Sequence, residues 1–254
     1  MELIHPIRTK MNVLGAKKLH EKLRDKFAEK NIKMGRDGFI DFLRQRSMLV
    51  RKTKRFHITT DSKHFYYTSP NRLKELDLTH SEQAWVSDIT YIKIENQHAY
   101  LALVTDAYSK RIMGWSIDDN MKVELVKQAL KMAVNNKQHQ HDTIIHHSDR
   151  GIQYCCPDFT QFAEGHGMVL STTQQYDPYE NAVAERINGI LKYEFGLKRT
   201  LPNLTIAKKM VKQAVYLYNN ERPHWSLELK TPELAHSLYN KTPYVSYSKK
   251  KLSA

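Results

Sequence analysis

Cysteine is nearly absent from this 254-residue chain: two occur, and they are neighbours, Cys155 and Cys156. Adjacent cysteines are poor partners for each other, so no disulfide framework exists, which fits a reducing cytoplasm. They also lack the C-x2–4-C spacing of a zinc site, which disfavours a zinc centre that would recruit His146 and His147. Long apolar runs are missing too. No stretch approaches eighteen apolar residues, and no signal-type apolar segment stands at the N-terminus. The expectation is a soluble, cytoplasmic protein without a membrane partner. Acid is the scarcer charge, with 27 Asp and Glu against 40 Lys and Arg, for a net charge of +13. That excess points to a polyanionic partner, nucleic acid first and an anionic membrane surface second. With 41% hydrophobic residues the chain can build an ordinary core. Its length suits one large domain, or a small one joined to a medium one.

The first part is basic and helical in pattern. Leu14, Leu19, Leu23 and Phe27 recur at roughly helical spacing in "LGAKKLHEKLRDKFAEK". A turn follows near "NIKMGRDG", then a second short helix in "FIDFLRQRS". Two short helices across a tight turn fit a helix-turn-helix, and equally an ordinary helical hairpin. Residues 1–55 are therefore expected to form a helical, DNA-binding region. It ends in the run "RQRSMLVRKTKR", whose Arg51, Lys52, Lys54 and Arg55 are candidate phosphate contacts. Residues 56–80 show no sustained periodicity and read as a connector.

Strand patterns begin near residue 81. "WVSDITYIKI" (85–94), "AYLALVTDA" (99–107) and "KRIMGWSI" (110–117) are rich in β-branched and aromatic residues, with turn chemistry between them. "KVELVKQALKMAVNN" has a helical stripe. A strand "TIIHHS", a short helix "PDFTQFAEGHG", a strand "MVLST" and two helices near 178–196 and 205–220 follow. This order predicts an α/β fold, a mixed five-stranded sheet flanked by helices over residues 81–240. Residues 241–254 read as a basic tail.

Three acids stand out. Asp88 sits inside the first strand, where aspartate is disfavoured; it suits a locally hydrogen-bonded structural residue as well as a functional one. Asp149 ends the strand after the central helix, and "DRG" is also ordinary turn chemistry. Glu185 lies in "YDPYENAVAERINGILKYE", where Asp177, Pro178 and Glu180 mark a helix start. Val183, Ile187, Ile190 and Leu191 form the apolar stripe of that helix, while Asn181, Glu185, Asn188 and Lys192 share another face. A solvated face is the plain reading of Glu185 taken alone. Together, however, the three acids are the hard oxygen donors that Mg²⁺ prefers. Gathered without a cation they would repel by about 4 kcal/mol for each pair 4 Å apart at an effective dielectric near 20.

Thirty-five residues separate Asp149 from Glu185. With that spacing, "WVSDITYI", "HHSDRGIQY", "NAVAERINGILKYE" and "YNNERPHWSLELKTP" resemble the integrase-type catalytic core of bacterial insertion-sequence transposases. They resemble in particular the group whose enzyme is made from two overlapping reading frames. The N-terminal "GAKKLHEKL" and "TTDSKH" resemble that group's second-frame product. The resemblance runs from about residue 10 to 236. It implies a ribonuclease-H-like fold and an Asp-Asp-Glu triad, here Asp88, Asp149 and Glu185, acting as catalytic residues and as ligands to two Mg²⁺ ions, with Mn²⁺ able to substitute. It implies cleavage at the element's ends and transfer of the freed 3′-hydroxyl to a second strand, with no covalent protein–DNA link. The implied partners are double-stranded DNA (terminal inverted repeats and target), further copies of the chain on that DNA, and the upstream-frame product or a fusion with it. Nucleoid association would follow. Lys192 matches the family's basic residue two turns after the glutamate, where it would contact end DNA. Arg222 and His224 match an "RPH" motif, for which packing and DNA contact are equal alternatives.

Two departures lie beside the site. Arg186 follows Glu185 where many relatives carry a small residue, and "TTQQYDPYEN" lacks the usual glycine and serine pattern. Both bear on DNA specificity more than on chemistry. A ribonuclease H acting on RNA–DNA hybrids would share the fold, but the basic N-terminal region and "YNNERPHWSL" argue against it. A catalytically silent DNA-binding regulator, or a domesticated element product, is the non-enzymatic alternative; the intact triad argues against it.

Overall fold

The computed structural model describes residues 1–50, 66, 68–74, 76–95, 97–139, 143–174 and 181–240. The expected basic contacts Arg51, Lys52, Lys54 and Arg55, the helix-start residues Asp177, Pro178 and Glu180, and the tail at 241–254 lie outside them.

The first fifty residues fold as three helices, α1 (His5–Lys10), α2 (Ala16–Glu29) and α3 (Arg36–Gln45). Leu19, Leu23 and Phe27 form the buried stripe of α2, as their spacing predicts. They pack with Leu14, Phe39 and Leu43, and with Ile4, Ile7 and Met11 from the α1 region. Six-residue α1 has too few turns for its periodicity to show in the sequence. The polar side of α3 holds its own charges: Arg44 pairs with Asp41, and Arg46 stacks over the Phe42 ring, 3.8 Å from its centroid.

The second unit is a five-stranded sheet in the order β3-β2-β1-β4-β5. Strand β1 (Ala84–Ile94) pairs antiparallel with β2 (Gln97–Asp106), and β2 antiparallel with β3 (Ile112–Asp118). On its other edge β1 runs parallel to β4 (Ile144–Ser148), which runs parallel to β5 (Met168–Thr172). The mixed sheet and its three-strand meander agree with the strand pattern. Alternation sends Ala102 and Val104 of β2 to one face and Leu101 and Leu103 to the other. The first face packs on α4 (Val123–Asn135) and α6 (Pro157–Glu164). The second packs on α7 (Ala182–Glu194) and α8 (Leu204–Asn220). Gly114 of β3 has no side chain because α4 crosses it closely: a Cβ there would lie 2.6 Å from the Ala133 backbone nitrogen and nearer still to the Ala129 carbonyl oxygen.

Three short elements went unforeseen: α5 (Ile152–Cys155), a 3-10 turn (Trp225–Leu227) and α9 (Pro232–Ser237). Helix α9 is fastened by a buried polar network at the start of β1. The His236 ring meets Glu82 at 3.1 Å and the Ser109 hydroxyl at 2.9 Å. Asp106 accepts from the Glu82 and Ser109 backbone N–H groups, both at 2.6 Å. Asp106 is thus a structural acid. Among the described residues no helix is long and apolar enough to cross a membrane.

Candidate active site

The parallel edge between β1 and β4 positions the first two acids. Its last registered pair is Val86 with His147. Asp88 and Asp149 each lie two residues further on, at the point where β4 has ended and the flank of β1 opens. A crevice beyond the carboxyl end of a parallel strand is where open α/β sheets bind ligands. Asp149 is pinned in this turn, its Oδ1 accepting the Gly151 backbone N–H at 3.0 Å. A Cβ on Gly151 would stand 3.0 Å from that same oxygen.

Alternation turns Asp88 toward the face covered by α7. Glu185 lies in the first turn of α7, where the helix dipole favours negative charge. Burial, then the charge of Asp149, and then that of Glu185 push the Asp88 carboxyl up to about 8, against the hydrogen bond from Asn188, which lowers it. Burial and Asp149 also raise Glu185. The three carboxylates therefore feel one another pairwise across three different elements. Among the described residues, no three His, Cys, Asp or Glu side chains are grouped tightly enough to hold a metal ion. The acids share a neighbourhood without closing on one point, as repulsion between like charges requires.

Two asparagines that the sequence reading placed on the Glu185 face, without a role, prove to be part of the site. Asn188 is buried and donates to Asp88 Oδ2 at 2.7 Å. Asn181 is buried and donates to the Ser87 carbonyl at 3.2 Å. Their shared face was the only sequence signal for them. Lys192, two turns after Glu185, sets its ammonium 4.1 Å from the Tyr91 ring centroid. Burial lowers its pKa, while the charge of Asp88 opposes the shift.

The two histidines before Asp149 diverge, as strand alternation requires. His146 meets the Ser87 hydroxyl at 2.8 Å and packs against Phe159 and Tyr154. Burial holds its pKa down to about 3, so it is neutral. His147 meets the Ser171 hydroxyl at 2.8 Å. Cys155 is buried and a free thiol.

The "RPH" residues meet the far end of α7, at Glu194. Arg222 is fully buried, with its guanidinium donating to both Glu194 oxygens at 2.8 and 2.7 Å. That is the packing alternative for Arg222, since a direct DNA contact would break the pair. His224 packs edge-on against Tyr218, with ring centroids 5.4 Å apart.

Residues 78–178 match the model of an integrase core domain, and residues 166–232 match a second integrase core domain model. A 31 kDa protein of insertion element IS600 from Shigella sonnei is 30% identical over 221 residues, covering 86% of this chain and 81% of that protein. The putative transposase of IS986/IS6110 from Mycobacterium tuberculosis (strain H37Rv) is 36% identical over 130 residues, 50% of this chain and 43% of that protein. Transposase InsF of IS3A from Escherichia coli K12 is 29% identical over 181 residues, 71% and 61% respectively. Among solved structures, a chain in the simian T-cell lymphotropic virus intasome bound to PP2A regulatory subunit B56 gamma superposes with a TM-score of 0.55 at 18% identity. That match covers 74% of this chain and 64% of that one, and it speaks for the fold.

The sheet and the matched family models together define a protein of the class with a ribonuclease-H-like fold and an integrase core. Within that class, the chain belongs to the insertion-sequence transposases.

Proposed function

We propose that this chain acts in DNA transposition and integration as a metal-dependent polynucleotidyl transferase. On this reading it cuts the ends of its element and joins the freed 3′-hydroxyls to target DNA. The observation that carries the reading is the pairwise approach of Asp88, Asp149 and Glu185 from a strand, a strand end and a helix on an integrase core. All three are hard oxygen donors, and burial first, then the charge of Asp149, raises the Asp88 carboxyl, a cost that divalent cations would relieve, so the donor set fits two Mg²⁺ ions, with Mn²⁺ as a substitute. Such ions would supply charge neutralisation and an activated oxygen nucleophile. The chain's own side chains do the rest. Asn188 orients Asp88, the Gly151 N–H orients Asp149, and α7 offers Glu185 from its first turn.

Lys192 stands beside this group as the cation for a phosphate of the element's end. From their sequence alone, Arg51, Lys52, Lys54 and Arg55 are the further phosphate contacts of this reading, and α2 with α3 serve as a helix-turn-helix-like unit. The division into 1–55, 56–80, 81–240 and 241–254 is part of that assignment. Two ends must meet, so the working form is an oligomer on DNA, in concert with the upstream-frame product and in association with the nucleoid.

The test is nicking and strand transfer on labelled terminal-repeat DNA with Mg²⁺ or Mn²⁺, comparing the native chain with Asp149→Asn and Glu185→Gln. Metal-dependent products from the native chain and none from either variant are expected. Products from both variants would overturn the assignment.

A further inference from the structure

The N-terminal helices meet the catalytic unit along one seam. Helix α2 lies along residues 221–225: Lys22 donates to the Glu221 carbonyl at 2.7 Å, and the Lys17 ammonium stands 5.8 Å from the Trp225 ring centroid. Lys18 lies between these two anchors, on the same side of α2, and faces the Arg222–His224 segment. Arg186 approaches from α7, one residue after Glu185.

The charge in this seam does not balance. Lys18, Arg186 and Arg222 crowd a region in which Glu194, the acid acting on Lys18, is already taken by both arms of the Arg222 guanidinium, and Glu221 is paired with Lys10 at 3.1 Å. Among the described residues neither Lys18 nor Arg186 makes a hydrogen bond or ion pair. His224 is only 9% exposed, and its Nε2 is buried without a hydrogen-bond partner, in a setting of Arg222, Lys18, Lys110 and Arg186. Burial and the like charges of Arg222 and Arg186 pull Lys18 down to about 8, against the pull of Glu194. A half-buried, unpaired lysine and an orphaned buried ring nitrogen are costly, Arg186 beside them is exposed and free to turn toward a ligand, and an anion answers all three at once.

We propose that Lys18, Arg186 and the His224 ring form a site for one phosphodiester group of bound DNA, joining the N-terminal helices to the helix that carries Glu185. A phosphate suits the donors: an ammonium from α2, a planar guanidinium from α7 and a ring N–H from the 3-10 turn region, all pointing charge or hydrogen at several oxygens of one group. The site explains why an arginine follows Glu185. It couples seating of DNA on α2 to the placement of α7. It rests on the reading of this chain as a DNA-acting protein.

The experiment measures DNA affinity of the full chain across a salt series, for the native protein, Lys18→Gln, Arg186→Gln and the double variant. Lys208→Gln, on the solvent side of α8, is the control. Each single variant is expected to lower the slope of log affinity against log salt by about 1, with about a tenfold loss of affinity. The double variant is expected to lower the slope by about 1 again, not by 2, because one phosphate is shared. Thermal melts in 50 mM inorganic phosphate against chloride of equal ionic strength form the second arm. Phosphate should raise the melting temperature of the native chain and leave that of the double variant unchanged. Lys18→Met should melt higher than the native chain in phosphate-free buffer, whereas a merely structural lysine would melt lower when replaced.

Native slopes in both single variants, with DNA bound, would overturn the site. If the native chain binds no DNA at any salt, the DNA reading fails, and the phosphate arm decides the site by itself: a native-only shift keeps an anion site without DNA as its source, and no shift removes it.

Discussion

Asn188 Nδ2 lies 2.7 Å from Asp88 Oδ2, a hydrogen bond that ties helix α7 to the central strand three residues beyond Glu185. The bond fixes two acids at once, one by contact and one through the helix. Replacing Asn188 with Ala is expected to leave the fold intact and to cut strand transfer by about 10–100-fold, the usual cost of losing a group that orients a ligand. Strand-transfer rates over a metal titration check this. A variant with native rate at every metal concentration would contradict it.

The Arg222–Glu194 pair holds the "RPH" segment to the end of α7. Arg222 is buried, so Glu194→Ala strands a charge in the interior. The expected loss is about 3–5 kcal/mol in folding stability, read from denaturant midpoints at constant slope. Glu194→Gln, which keeps an acceptor oxygen, should lose less.

Gly114→Ala tests the close crossing of β3 and α4. The added methyl meets backbone at Ala133 and Ala129, which cannot swing away as a side chain can. A loss of about 1–3 kcal/mol is expected from overpacking, with activity falling only through the folded fraction.

His146 makes stability depend on acid. Its folded pKa, near 3, lies below its ordinary value, so the unfolded chain binds the extra proton between about pH 6.5 and 3. Its contribution is therefore complete above pH 6.5 and is lost as pH falls toward 3. His146→Gln, which can still meet the Ser87 hydroxyl, should flatten that part of the profile in thermal melts from pH 7 to 4.

The strands were legible in the sequence because β-branched and aromatic residues cluster in short runs bounded by turn chemistry. The residues 85–94 expected for β1 differ from Ala84–Ile94 by one position. The start of α7 differs more, at Ala182 instead of residue 178. Helices α1, α5 and α9 are too short for a 3.6-residue period to repeat. Strand order was not readable either, since the parallel pairing of β1 with β4 depends on contacts between distant residues. For the same reason the bond between His236 and Glu82 left no local trace. Within the site, Asp88 stood out as an acid inside a strand, whereas Asp149 and Glu185 were singled out only by their combination with it and by the resemblance to the integrase-type core. Asn188 did not stand out, because a polar residue on a polar helix face carries no signal until the strand beneath it is known.

Asp88, Asp149 and Glu185 are expected to close around divalent ions when DNA is bound. Anomalous diffraction from crystals of the chain with terminal-repeat DNA and Mn²⁺ tests it most directly. Manganese peaks within coordination distance of all three carboxylates are predicted, and they should vanish in Asp149→Asn. Ordered Mn²⁺ elsewhere on the protein, with the three carboxylates apart and unliganded, would contradict it.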